Sequence, residues 1–428
     1  MTWIPKEEQL EVVEKMVQFG IIKVSNERNL PLKNGGFTDI YISIRDARNY
    51  AEATKFLAKL YMRELLRINP NLFVEVPDAV SGIAGCLSVI SSTPYITIRE
   101  QEKERRVSDS KIIGNISPND SVIILDDVIT DGASKIIPYN ECIKRGAKCL
   151  GLLVLVDRQQ GWKEKFNEAN IDIPVYAGMT LHDVRKCLFE LGYLKRCAKE
   201  VEENNPIIVA LDNKNMEEII QIVDPMRTSG CILKFNDFAF EKGFEKIFEE
   251  FSIYGRIMLD LKLHDISNTI LNTLERIKQY PNHPWAITIH ASVGKKTLTK
   301  AVECLKDTNI KLLAITVLTD ISDDCEEIYG RSAKEQVMAM TKMAYEAGVR
   351  GFVCSAEEVR EIRKAYPDAT LVTPGIRSEE KPKDDQVRTG TPSQAINDGS
   401  DHIVMGRQIL NSSDPIAEIA KVLKEIGR

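Results

Sequence analysis

The segment DLKLHDISNT, residues 260–269, ends an apolar run with Asp260, Lys262 and Asp265, and the apolar run before it closes on a lone Lys234. On a strand end the two-residue spacing aims Asp260 and Lys262 to one side, while Asp265 falls on the loop that follows. Two carboxylates and two ammonium groups in one pocket are costly unless each has a partner, so such a cluster reads as chemistry rather than surface. A second constellation is VIILDDVITDGASK, residues 122–135: an apolar strand, the acid pair Asp126 and Asp127, and a Thr-x-Gly-x-Ser turn that opens a helix. The N–H groups of Asp131, Gly132, Ala133 and Ser134, with the hydroxyls of Thr130 and Ser134, suit a phosphate at a helix N-terminus. The two aspartates can accept from sugar hydroxyls or hold a hydrated Mg²⁺. An ordinary turn and helix entry would use the same residues without a ligand.

Both constellations need a sheet whose strands end together. From residue 206 onward, eight apolar runs alternate with helix-length intervals: PIIVALD, GCILKFN, RIMLDLK, WAITIHA, KLLAITVLT, RGFVCSA, TLVTPGI and DHIVMGR. That alternation predicts a (β/α)₈ barrel, whose chemistry sits at the C-terminal ends of the strands. The residues there are Asp212, Lys234, Asp260 with Lys262, His290, Thr319, Ser355, Gly375 and Gly406. The first half alternates less regularly. An amphipathic helix (KEEQLEVVEKMVQFG), a helix from about Ala51 to Arg67, and strands at AVSGI, YITIRE, SVIILDD and LGLLVLVD suit an open, mostly parallel α/β sheet with a small extra subdomain. The polar stretch CAKEVEENNP reads as a linker, with the boundary near Glu202 and the domains spanning 1–197 and 206–428.

The 428 residues exceed one ordinary core, so two domains are expected. A net charge of −6 gives no basic surplus for nucleic acid. No apolar run is long enough to span a bilayer, and the charged N-terminus does not read as a signal peptide, so a cytoplasmic protein is expected. The nine cysteines show no CxxC pair and no metal spacing.

In the first half, the Asp-Asp strand and turn resemble the phosphoribosyl pyrophosphate (PRPP) motif of type I phosphoribosyltransferases, and the flanks resemble orotate phosphoribosyltransferase. LPLKNG resembles that family's FTLKSG, IREQEK its mobile loop, and VDRQQG its orotate-contacting segment. The resemblance covers most of residues 1–195. It implies that Lys33 lies near orotate and pyrophosphate, that Arg99 and Lys103 bind pyrophosphate with Lys103 catalytic, that Arg158 takes the orotate carboxylate, and that Mg²⁺ accompanies the diphosphate. The sequence departs from the family at Glu100, Arg105, Thr38-Asp39 and Asp131, while Arg106 offers compensating charge.

The second half resembles orotidine 5′-phosphate decarboxylase along its whole length. VALD supplies Asp212, KFN Lys234, LTDIS Thr319 and Ser322, TPGIR Gly375 and Arg377, and DDQVRTGTPSQAI with VMGR supplies Gln386, Gly406 and Arg407. The resemblance implies a reaction without a cofactor. Lys262 stabilises charge at C6 and donates the proton, Asp260 sits against the departing carboxylate, and Lys234 and Asp265 balance the array. It also implies that Asp265 and Thr269 serve the neighbouring subunit's site, hence a homodimer. Thr319 and Ser322 fall on the pyrimidine side, while Gln386, Gly406 and Arg407 hold the phosphate. Singly these have plain alternatives, such as a surface amide for Gln386, an ion-pair member for Arg407 and a helix cap for Ser322.

The order of the halves resembles the bifunctional UMP synthase family, which implies orotate, PRPP and orotidine 5′-phosphate as substrates. Two other readings share the residues. The barrel's Asp-x-Lys-x-x-Asp pattern also occurs in Mg²⁺-dependent sugar-phosphate decarboxylases and synthases, and the first half could be a non-catalytic nucleotide-sensing module.

Overall fold

The computed structural model of the chain describes residues 2–32, 36–99, 111–321, 324–379 and 390–428. It divides into two compact units, Met1–Lys195 and Arg196–Arg428. The segment read as a linker contains a short helix, Lys199–Asn204, within the second unit.

The first unit is an open α/β sheet. Strand Ser121–Leu125 lies between Leu72–Glu75 and Lys148–Asp157, both parallel to it. Val175–Thr180 extends one side in parallel, and on the other side Tyr95–Ile98 is followed by the antiparallel Ile112–Ile113. The interiors of the central strands Ser121–Leu125 and Lys148–Asp157 are apolar because both faces are covered. The N-terminal helix Lys6–Gln18 starts after Pro5 and buries Gln9, Val12, Val13 and Met16, a one-face spacing of three to four residues. Two small antiparallel pairs, Ile22–Val24 with Ile40–Ile42 and Leu30–Pro31 with Phe37–Thr38, form the expected extra subdomain.

The strand expected at AVSGI is not formed. Ser81–Ser91 is a helix, and the strand of that unit is Leu72–Glu75. Short apolar runs do not distinguish a buried strand from an apolar helix by period; here the all-buried LFVE run takes the central position, and SGIAGCLSVIS packs over it.

Thr38 and Asp39 are both buried and hydrogen-bonded. The Asp39 carboxylate accepts two hydrogen bonds from Arg185, at 2.5 and 3.0 Å, and both side chains are buried. Thr38 Oγ1 donates to the Ile40 carbonyl and accepts from the Ile40 N–H.

The second unit is a closed parallel barrel of eight strands: β1 (Ile207–Ala210), β2 (Ile232–Phe235), β3 (Arg256–Leu263), β4 (Ala286–His290), β5 (Lys311–Ile315), β6 (Gly351–Val353), β7 (Thr370–Thr373) and β8 (His402–Met405). Helices such as Met216–Met226, Ser267–Lys278, Lys295–Leu305 and Ala333–Glu346 pack their apolar stripes on its outside. Capping boxes start two of them, Asn215 with Glu218 and Ser332 with Glu335. Inside, Ile208, Ile232, Met258, Ala286, Leu313, Val372 and Val404 form an apolar plug. Because strand side chains alternate, the inward positions two residues further on are Ala210, Lys234, Asp260, Thr288 and Ile315. The polar members of that layer sit directly above the apolar plug.

Candidate active site

A cavity of about 750 Å³ opens at the C-terminal ends of the barrel strands. Its lining includes Asp212, Lys234, Asp260, Lys262, Thr319, Gly375, Arg377, Gly406 and Arg407. Nine of the barrel residues singled out by sequence therefore share one cavity. Asp265 and Thr269 are outside that lining, exposed on the turn after β3 and in the first turn of helix Ser267–Lys278. Ser322 and Gln386 lie outside the described residues.

The polar floor is a chain of alternating charge. Lys234 Nζ donates to both oxygens of Asp212, at 3.0 and 2.9 Å, and to Asp260 Oδ2 at 3.2 Å. Lys262 Nζ donates to the same Asp260 Oδ2 at 2.8 Å. Burial disfavours the charged form of Lys234, but Asp260 and Asp212 outweigh it and hold the ammonium above its ordinary pKa. Burial likewise pushes Asp260 up, and the two lysines with Thr288 reverse the sign, leaving its carboxyl below the usual value. Across the neutral range Asp260 is an anion and Lys234 a cation. The Lys262 side chain is 40 % exposed against 8 % for Lys234, so Lys262 presents its ammonium to the open cavity while Lys234 is locked below.

Lys262 reaches this position by an unforeseen route. Its φ is +47°, and the β3–β4 register shifts between Leu259 and Leu263. Strand alternation alone does not set the Asp260–Lys262 pair; a left-handed residue at a break in the ladder completes it. Two supporting residues were also missed. Thr288 Oγ1 donates to Asp260 Oδ1 at 3.0 Å and accepts from the Lys262 N–H at 2.8 Å, and Asn236 Nδ2 donates to the Asp260 carbonyl at 2.6 Å. The inward parity of β4 was the signal for Thr288. His264 and His290, one at each neighbouring strand end, hydrogen-bond through Ser292 Oγ at 3.0 and 2.6 Å.

Residues 205–422, half of the chain, match the orotidine 5′-phosphate decarboxylase / HUMPS family. The chain belongs to this family. The orotidine 5′-phosphate decarboxylase of Wolbachia pipientis subsp. Culex pipiens is 39 % identical over 226 residues, covering 52 % of this chain and 99 % of that protein. That of Ehrlichia canis is 37 % identical over 227 residues, covering 52 % and 98 %. The crystal structure of orotidine 5′-phosphate decarboxylase from Lactobacillus acidophilus aligns over 52 % of this chain and all of its own, at 33 % identity and a TM-score of 0.45.

The first unit gathers its own candidates at the C-terminal end of its sheet. Asp126 follows strand Ser121–Leu125 and is buried in an ion pair with Lys135, whose Nζ also donates to Ser134 Oγ at 2.9 Å and to the Val128 carbonyl at 3.2 Å. Burial and the adjacent Asp127 overcome Lys135 and push the Asp126 carboxyl up to about 7. Asp127 is partly exposed, and its Oδ1 accepts from the Val128 N–H at 2.7 Å. Thr130, Asp131, Ala133 and Ser134 are exposed around the start of helix Ala133–Lys144, and Asp131 Oδ1 accepts from the Ala133 N–H at 3.2 Å. Gly132 has φ +78°, and a Cβ there would lie 2.7 Å from the Phe166 ring. The Arg158 N–H donates to the Ile129 carbonyl at 2.9 Å, which brings the VDRQQG turn beside the Thr-x-Gly-x-Ser turn. Arg99 follows strand Tyr95–Ile98 and donates its N–H to the Lys111 carbonyl. Lys33 and Lys103, like Glu100, Arg105 and Arg106, lie outside the described residues.

Proposed function

We propose that the chain makes UMP from orotate in two steps. Orotate and PRPP give orotidine 5′-phosphate and diphosphate in the first unit, and the barrel decarboxylates that product to UMP and CO₂. The decarboxylation is supported by the family and, above all, by the Asp212–Lys234–Asp260–Lys262 array. Losing CO₂ from C6 leaves electrons on a ring carbon, and an ammonium already fixed beside that carbon stabilises the charge without reorganising. Lys262 is that ammonium and returns the proton to C6. Asp260 orients it and lies against the departing carboxylate. The positive Arg377 and Arg407, with Gly406, suit the nucleotide's phosphate, whose binding energy is spent on lowering the barrier; Gln386 is assigned to the same task. Asp212 and Thr319 border the ribose and pyrimidine.

Asp265 and Thr269 are assigned to the site of a second copy, since both are exposed and Ile266 between them is 71 % exposed. The working form would then be a homodimer. No described helix is long and apolar enough to cross a membrane, in keeping with a cytoplasmic enzyme.

The first step is supported by the phosphate-type turn beside Arg158. Mg²⁺ fits there in a limited way. The Asp126 carboxyl is already paired with Lys135, so Asp127 is the acid available to a hydrated ion, and the diphosphate would bring the ion and be neutralised by it. The test is orotate consumption by the full chain with PRPP and Mg²⁺. EDTA should abolish it while decarboxylation of added orotidine 5′-phosphate continues. EDTA-sensitive decarboxylation would favour the metal-dependent sugar-phosphate branch of the family, and no orotate consumption with Mg²⁺ present would favour a nucleotide-sensing first unit.

A further inference from the structure

Thr288 is wholly buried on β4, facing the break in β3. A hydroxyl has one proton and can accept elsewhere. Because the Lys262 N–H donates to Thr288 Oγ1 at 2.8 Å, the oxygen is an acceptor in that bond, and its single proton goes to Asp260 Oδ1 at 3.0 Å. The direction of both bonds is thereby fixed by the donors available. One consequence concerns Asp260: with Oδ1 taken by Thr288, the same carboxylate's Oδ2 is the atom that receives both Lys234 and Lys262. The other concerns Lys262. Its left-handed φ of +47° is uncommon for a residue with a side chain, and it falls where the β3–β4 register is broken. The hydroxyl supplies an acceptor to the N–H at that break.

We propose that Thr288 is a positioning residue for the decarboxylation, one hydroxyl holding both the rotamer of Asp260 and the backbone of Lys262 so that the ammonium stays aimed at the reacting carbon. This rests on the decarboxylase reading above. Thr288 does not line the cavity, so its effect passes through the two charged residues that do. The groups facing Asp260 are Lys234 from β2, Lys262 on β3 and Thr288 from β4, with Asp212 beyond β1 reached through Lys234.

The test uses the full chain with orotidine 5′-phosphate as substrate and the near-isosteric Thr288→Val. Loosening a positioned group by a fraction of an ångström is expected to lower kcat by about 10- to 100-fold, with KM changed by less than about threefold. Thr288→Ser, which keeps the hydroxyl, should stay within about threefold of the parent kcat. The acid limb of the kcat/KM profile should move to higher pH in Thr288→Val, because Asp260 has lost a donor that favours its anion. If the valine variant does not fold, Thr288→Ala against Thr288→Ser makes the same comparison, since the pair differs by the hydroxyl alone. Valine or alanine variants with parental kcat and an unmoved acid limb would overturn the proposal. So would a serine variant as slow as the alanine one. A parent chain that leaves orotidine 5′-phosphate unchanged would instead overturn the decarboxylase reading and the proposal with it.

Discussion

Asp260 in the barrel and Asp126 in the open sheet are both buried aspartates at the C-terminal ends of parallel strands, each touching a buried lysine, yet their carboxyls shift in opposite directions. Burial pushes both up. Asp126 has one ammonium against a neighbouring carboxylate, and burial prevails, bringing it to about 7. Asp260 has two ammonium groups and a hydroxyl donor, and they prevail. The number of donors converging on a buried acid decides whether it remains a fixed anion. The second arrangement is the one that gives the proposed decarboxylase site a fixed anion for Lys262 to pair with.

Removing one donor from the barrel should make its acid resemble the one in the sheet. Lys234→Met leaves Asp260 with Lys262 and Thr288, and decarboxylation should fall on the order of 100- to 1000-fold, with the acid limb of the rate profile moved to higher pH. Steady-state rates on orotidine 5′-phosphate from about pH 3 to about pH 9, a range that includes the parent's acid limb, check both. An unmoved acid limb would separate Asp260's protonation from its donors and break the comparison.

The next contrast is one of sign in stability. The folded pKa of Asp126 is raised, so the folded state binds the extra proton and stability falls as pH rises from the ordinary carboxylate value toward 7. Asp260, with a lowered pKa, contributes stability that is present above the ordinary carboxylate pKa and lost as pH falls through its folded value. Asp126→Asn should therefore flatten the decline of the first unit's stability as pH rises toward 7. Amide hydrogen exchange of residues 121–129 in the full chain measures it, and an unchanged slope would mean that Asp126 does not titrate there.

The smallest effect concerns the frame of the sheet site. Gly132→Ala puts a Cβ 2.7 Å from Phe166 at φ +78° and should destabilise the first unit by about 1–3 kcal/mol. The same exchange measurement should leave the barrel amides unchanged. Loss of protection in both units would show that they do not unfold independently.

The eight barrel strands were legible because parallel strands covered on both faces read as apolar runs, and their polar ends pointed to the rim. The sheet was less legible. AVSGI and LFVE are both short and apolar, and only tertiary packing assigns the helix to one and the strand to the other. Val175–Thr180 carries Gly178 and Thr180 within a short run and was not read as a strand at all. At the site, the residues with conspicuous charge were found, whereas Thr288 was hidden because threonine within an apolar strand is an ordinary β-former. The left-handed Lys262 was hidden too, since its conformation depends on a register break that pairs β3 with β4. Asp39 read as a departure from a motif, and its partner Arg185 is 146 positions away.

The most direct test of the central claim is Lys262→Ala in the full chain, supplied with orotate, PRPP and Mg²⁺ while both orotidine 5′-phosphate and UMP are followed. The first step should continue and UMP formation should fall on the order of a thousandfold or more, so that orotidine 5′-phosphate accumulates. UMP formed within a few-fold of the parent rate would contradict the role given to Lys262 and to the charged array that holds it.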